Sequence, residues 1–382
     1  MILKDVSDMN NIKKNSKKKK INSIAYTFEL LALNAAAIFL SVAGSVFFLD
    51  FLGLACYAAA AALFACAMFL VPSLIACLVL TIASAATSFF IANAISGNII
   101  SSLACLVCAT SGALIYFGVK AKKHRTQITF GIACFLSVFS LGLVVASFLL
   151  EAGRFSVGLV LQAVDDGLTS GANYITSHIS TLAELPEIDR AAYVQEIVQN
   201  TKAIIPALFI VYNSIIAYLA TSFFKIAYNV FIPMANSARK KIKGKYWRLN
   251  ISLVTAIVAL TALVASPFAS AAKNPISSIV LTNLIYMLAP GLCIVGIYFA
   301  YDKFFKERVA IFPLVPILGA LFAVFFMLGA FSIALFVLVF VLLVAGLYAT
   351  LNGDIKKLLE KAKKALFDDD DDNDDDDDDF FD

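Results

Sequence analysis

The sequence predicts an all-α polytopic membrane protein, a transmembrane helix bundle of about ten spans carrying an amphipathic helical segment on its outer side. Three observations lead there. Hydrophobic residues make up 61 % of the 382 residues and charged ones 15 %, whereas soluble domains hold roughly 45–50 % apolar residues. The apolar residues fall into runs near the roughly 20 residues that cross about 30 Å of hydrocarbon as a helix, the form that closes every backbone hydrogen bond in lipid. The charges are segregated: lysine-rich linkers, an acidic central segment and a terminal aspartate run.

Residues 1–26 form a basic segment with Lys13, Lys14, Lys17, Lys18, Lys19 and Lys20, expected at the cytoplasmic face, where it sets topology and meets anionic lipid headgroups. Residues 27–150 form the first membrane half, with spans at 27–48, 51–71, 72–93, 98–119 and 128–150. Residues 203–350 form the second, with spans at 203–229, 250–270, 276–301, 311–327 and 330–350. Two long runs are divided here at weak breaks, Val71-Pro72-Ser73 and Leu328-Gly329-Ala330. The division passes a charge test. With the N-terminus inside, the clusters Lys120 to Arg125, Arg239 to Lys245 with Arg248, Lys303 to Arg308 and Lys356 to Lys364 all fall inside; merging either run would move later clusters out. Both termini are then cytoplasmic, in a bacterial inner membrane.

The central segment, residues 151–202, faces outward with Glu151, Asp165, Asp166, Glu184, Glu187, Asp189 and Glu196. Val157, Val160, Leu161, Val164, Leu168 and Ile175 recur at helical spacing, and Leu185-Pro186-Glu187 reads as a break and restart. Two short surface helices are expected. Residues 351–367 form a basic amphipathic helix suited to the inner leaflet, and residues 368–382 an acidic tail too charged to fold.

Catalytic chemistry finds little support. There is no P-loop, nucleophile elbow, zinc-protease helix or dinucleotide fingerprint, and the two histidines, His124 and His178, lie in polar segments without triad or metal-ligand neighbours. The seven cysteines sit inside apolar runs, as small packing residues do. A non-enzymatic protein without metal or cofactor is expected, and with it no nucleic-acid partner. Polar residues within the spans carry the functional interest. Glu29 and Lys225 lie near span ends and reach the interface. Asn34, Tyr212, Asn213, Asn283 and Tyr286 lie deeper and either bind a polar solute or hydrogen-bond across helices. Ala32 and Ala36 form a small-xxx-small pair that admits a partner helix. No acid sits at mid-depth, which argues against a pump built on a buried carboxylate.

Several features of the second half, Ile205-Pro206-Ala207-Leu208, Tyr246-Trp247-Arg248, Asn283-Leu284-Ile285-Tyr286 continuing through Pro290-Gly291 to Gly296, and a closing hairpin with Gly346, form a pattern that resembles the YybS-like bacterial membrane proteins, a family of unknown function. Ala349 stands where that family often carries aspartate. The family is distantly similar to substrate-binding membrane components of vitamin-type importers, so the resemblance implies a small-solute ligand and a coupling membrane subunit docked on Ala32 and Ala36. The function expected first is a small-solute binding or transport component, and the alternative is a non-transporting scaffold or regulatory protein. A cavity lined by Asn34, Asn213, Asn283 and the tyrosines favours the first; solid packing around them favours the second.

Overall fold

The computed structural model describes residues 27–47, 51–71, 73–153, 155–178, 187–235, 242, 247–272, 275–305 and 333–367. The basic N-terminal segment, the expected break at Pro186, the span at 311–327, the break at Leu328-Gly329-Ala330 and the acidic tail lie outside these residues. Ten helices follow one another among the described residues: α1 Thr27–Val46, α2 Phe51–Leu70, α3 Leu74–Ser96, α4 Ile99–Lys120, α5 Arg125–Ala152, α6 Val157–His178, α7 Glu187–Ala235, α8 Leu253–Ala271, α9 Pro275–Ala300 and α10 Ile333–Phe367. A five-residue π-helical turn, Tyr301–Phe305, extends α9. Seven of the helices are long and apolar enough to cross a membrane; α8 and the apolar part of α10 are shorter. The fold is all-α, multi-helix and largely membrane-spanning.

The chain forms two compact units. The first contains α1 to α4, the start of α5 and the end of α7; the second contains the rest of α5 and α7 with α6, α8, α9 and α10. In the first unit α2 lies innermost, most of its residues being buried where few of those of α3 are. Its side chains allow this. Ala58, Ala60, Ala61, Ala62, Ala65 and Ala67 are all buried, so neighbouring helices approach closely. Gly112 of α4 faces Ala61 and Phe64, where an added Cβ would come within 2.8 Å of both. The outer faces of α3 and α5 expose Ile75, Val79, Ile82 and Phe90, and Phe130, Val138 and Leu141. Apolar stripes of that extent belong in lipid.

The turns follow from local chemistry. The run from Phe51 divides where expected, α2 ending at Leu70 and α3 starting at Leu74. Gly97 closes α3 at φ 63° and bonds back to Asn93, while the Asn98 side chain accepts from the Ile100 and Ser101 amides, capping α4. At the end of α4 the Lys122 and Lys123 amides bond the Val119 and Gly118 carbonyls, a Schellman stop in which Lys122 takes φ 53° where glycine is usual.

These hairpins gather alternate helix ends. The start of α1 (Leu30), the end of α2 (Met68, Phe69), the start of α3 (Cys77, Leu80) and the end of α4 (Ala113, Tyr116) share one cluster. Phe69 also meets Phe224 and Tyr228 near the end of α7. At the opposite end Val42 of α1, Ala92 of α3 and Cys105 of α4 pack together.

In the second unit α8, α9 and α10 share a core of Ala256, Ala259, Ala289, Leu292, Cys293, Val339, Leu343 and Leu347. Contacts between α9 and α10 advance together along both helices: Cys293 Sγ meets the Val339 carbonyl, Gly296 lies against Gly346, and the Phe299 ring stands 5.7 Å from Tyr348. The two helices therefore run in the same direction. Elsewhere in this unit α6 packs on the first turns of α7 through Ala172, Val194 and Val198, flanked by Leu168 and Ile197, with an Asp165–Lys202 ion pair beside them.

One expectation needs correcting. The sequence Glu187 to Lys202 is not a separate short helix, because α7 continues unbroken for 49 residues, and Ile205-Pro206 lies inside it and starts no helix. At 1.5 Å per residue it is about 74 Å long, more than twice the hydrocarbon thickness. Likewise α10 is one 35-residue helix that carries the basic residues 351–367 on directly from the last apolar run.

Candidate functional site

The polar residues nominated from the sequence divide between the two units. Asn34, in the first, is half-buried on α1, and its Oδ1 accepts a 2.8 Å hydrogen bond from Ser84 Oγ of α3. Ala32 and Ala36 are exposed on the face of α1 that also carries Phe28, Leu31 and Phe39. Near them a groove of about 510 Å³, lined by Ala35, Phe39, Val46, Ile91 and Ile95 among others, runs between α1 and α3 and is almost wholly apolar.

The other four residues lie in the second unit. Asn213 is buried; its Nδ2 donates to the Phe209 carbonyl at 3.0 Å, and its Oδ1 accepts from Ser140 Oγ of α5 at 3.3 Å. Asn283 of α9 is bound to the α7 backbone: its Nδ2 donates to the Ala203 carbonyl at 2.6 Å and its Oδ1 accepts from the Ala207 amide at 3.0 Å. In a regular helix those two groups bond each other. Pro206 explains the intrusion, since its ring has no N–H and crowds the carbonyl four residues back, opening the helix there. Asn283 bridges the opening, and Nδ2 also reaches the Ile279 carbonyl at 2.9 Å. This is how α7 carries a proline and stays continuous. Asn213 lies about 12 Å further along α7, facing α5, so the two amides serve different helix pairs. Tyr212 and Tyr286 are half-buried.

The bridge predicts a double-mutant signature. Asn283→Leu should destabilise by about 0.5–2 kcal/mol, and Pro206→Ala should recover much of that loss in the same background, because an alanine there lets the helix close by itself. Thermal unfolding in detergent checks it; additive effects would mean that the two residues do not share one opening.

The residue that sequence reasoning passed over is Arg125, read as the last member of a basic linker. It is 2 % exposed. Its Nε donates to Thr221 Oγ1 at 3.2 Å, Nη1 to the Trp247 carbonyl at 3.2 Å, and Nη2 to the Tyr218 carbonyl at 3.2 Å and to Ser222 Oγ. The guanidinium also lies 4.5 Å from the centre of the Tyr218 ring. Trp247 is fixed from a second side, its Nε1 donating to the Thr221 carbonyl at 2.9 Å and its ring 5.7 Å from Phe224. Further back Asn229 pairs with both backbone groups of buried Ile242, at 2.7 and 3.0 Å. The segment following α7 is thus pinned at Ile242 and at Trp247. A cation at a helix start is opposed by the helix dipole, so these partners, not the dipole, hold Arg125. The available signal was the single tryptophan of the chain beside a hydroxyl-rich stretch, Thr221-Ser222, with Thr129 one turn beyond Arg125.

Lys225 lies within electrostatic reach of Arg125 and Arg248. Lys120 stands over the Tyr116 ring, 5.5 Å from its centre. From Tyr116 a run of rings, Phe69, Tyr228 and Phe224, leads to Trp247 at spacings of 4.9 to 5.7 Å. The arrangement is a cationic pole on an aromatic base. It offers charge and hydrogen-bond donors, with no nucleophile paired to a base, and among the described residues no group of His, Cys, Asp or Glu is placed to hold a metal ion. Compared with known protein families, curated proteins and solved structures, the chain finds no match.

Proposed function

We propose that this polytopic membrane protein is a non-enzymatic, non-transporting scaffold or regulatory component of a bacterial inner membrane, with ten crossings and both termini inside. The observation that carries this reading is the closure of Asn34, Asn213 and Asn283 on neighbouring helices, two of them in bonds that tie α7 to α5 and to α9. The working surfaces are then those beyond the lipid: the cationic pole of the first unit, and the pair formed by α6 and the first turns of α7, which acts as an outer amphipathic segment. Helix direction supports the crossing count. Helices α9 and α10 run the same way, and two parallel spans need a return crossing between them; residues 311–327, outside the described residues, have the composition for it. The basic linkers give the inner side by the positive-inside rule.

A second reading, small-solute binding or permeation, draws on Asn283 and Pro206. A helix opened by proline and bridged by an amide at membrane depth is how transporters build ion and solute sites. The YybS-like likeness belongs to this reading, with a coupling subunit on exposed Ala32 and Ala36. Thermal unfolding of the purified protein against a broad panel of vitamins and metabolites separates the two. A ligand at 100 times its Kd adds about 2.7 kcal/mol, which moves the melting temperature by several degrees. No shift is expected. A saturable shift abolished by Asn213→Ala or Asn283→Ala would overturn the scaffold reading in favour of the second.

A further inference from the structure

Two stretches of the first unit carry an unbalanced charge. Residues 51–136 and 216–248 contain eleven Lys and Arg and not one Asp or Glu. Among the described residues of the unit Glu29 is the only acid. The fold concentrates the cations. The Arg125–Trp247 bond holds the linker carrying Lys120, Lys122 and Lys123 against the one ending in Arg248, and Lys225 lies within reach of both arginines. Lys120, Lys122, Lys123 and His124 are all exposed, and the Schellman stop with Lys122 in the left-handed region fixes the backbone that presents them. Cations gathered on one face attract an anion to it.

The chain contains a polyanion. Between residues 368 and 382 it carries twelve aspartates. Fifteen extended residues reach about 50 Å, the width of several packed helices at about 10–12 Å each. A tethered segment of this kind meets its target at an effective concentration in the millimolar range. We propose that the cationic pole formed by Lys120, Lys122, Lys123, Lys225 and Arg248, held in place by buried Arg125, is the docking surface for the chain's own aspartate tail. The proposal rests on the ten-crossing topology above, which puts pole and tail on the same side. Anionic lipid headgroups and an acidic partner protein are the competing occupants; the tail is favoured because its charge is opposite and it is tethered to every copy.

The test places the photo-crosslinking amino acid p-benzoylphenylalanine at Lys123 in the full chain, in nanodiscs of zwitterionic lipid, and identifies the captured peptide by mass spectrometry. In about 0.1 M salt the 368–382 peptide is captured; in about 1 M salt, where the screening length falls from about 10 Å to about 3 Å, capture drops at least about fivefold. Replacing the six aspartates 374–379 by asparagine produces the same loss. Absence of the tail peptide at low salt, capture unaffected by the asparagine tail, or tail capture replaced by lipid adducts when anionic lipid is added would each overturn docking. Topology is read separately by impermeant maleimide on intact cells: Asp166→Cys labels, Lys123→Cys and Asp382→Cys do not. Labelling of only one of the last two puts pole and tail on opposite faces and overturns the topology and the docking together, whereas no capture with both inside overturns docking alone.

Discussion

Gly346→Leu should disrupt the second unit, and Gly346→Ala should produce a smaller loss in the same direction. At this position an added Cβ would fall well inside van der Waals contact of the Leu292 carbonyl oxygen, and at Gly296 one would meet the Leu342 carbonyl in the same way. The obstruction is backbone, which has no rotamer to change. The helices must separate, and the separation strips contacts from Cys293, Val339, Leu343 and Leu347 on either side of the crossing. Overpacking in a core costs about 1–3 kcal/mol and occasionally more; a rigid partner places the alanine variant in that range and the leucine variant above it. Close approach through small residues is the main source of helix attraction in lipid, where no hydrophobic force between helices replaces it. Thermal unfolding in detergent reads the series Gly, Ala, Leu at both positions. Gly131→Ala and Gly142→Ala are the controls, since nothing lies within 4 Å of a Cβ added at either; there the better helix propensity of alanine leaves stability level or slightly raised. Equal losses at all four sites would mean that Gly296 and Gly346 do not form a backbone crossing.

That crossing also marks what a sequence conveys about such a protein. The helices of the first unit were legible because a bilayer imposes a length and a composition independent of what the helix touches, and because Val71-Pro72-Ser73 and Gly97-Asn98 stop helices by local chemistry. The continuity of α7 was not legible. Pro206 reads as a boundary, and it is passed only because Asn283, 76 residues from Ala207, bonds the opened backbone. The same limit applied to the site. That Asn213 and Asn283 need polar partners was visible from their depth; that those partners lie on neighbouring helices depends on groups distant in sequence. Arg125 was misread for the opposite reason, its company in the linker being exposed lysines while the groups that bury it lie 93 to 122 residues away.

Arg125→Ala should release Trp247, and the protein carries its own probe, since Trp247 is the only tryptophan in the chain. The Tyr218 carbonyl would keep its bonds from the Thr221 and Ser222 hydroxyls, so the loss concentrates on the Trp247 carbonyl, which gives up its guanidinium donor. An unsatisfied buried acceptor costs about 1–3 kcal/mol, and removing a fully packed arginine side chain adds the loss of its contacts, for a total of about 3 kcal/mol. Arg125→Lys should recover little, because one ammonium cannot reach Thr221, Tyr218, Ser222 and Trp247 together as the planar fork does. Emission from Trp247 should shift to longer wavelength and become accessible to acrylamide in Arg125→Ala, with a smaller shift in Arg125→Lys. If Arg125 serves to hold the cationic pole together, capture of the aspartate tail at position 123 should fall in the alanine variant by more than the loss of one buried charge explains. Unchanged Trp247 emission in Arg125→Ala would refute the lock, because the indole and the arginine would then be held independently.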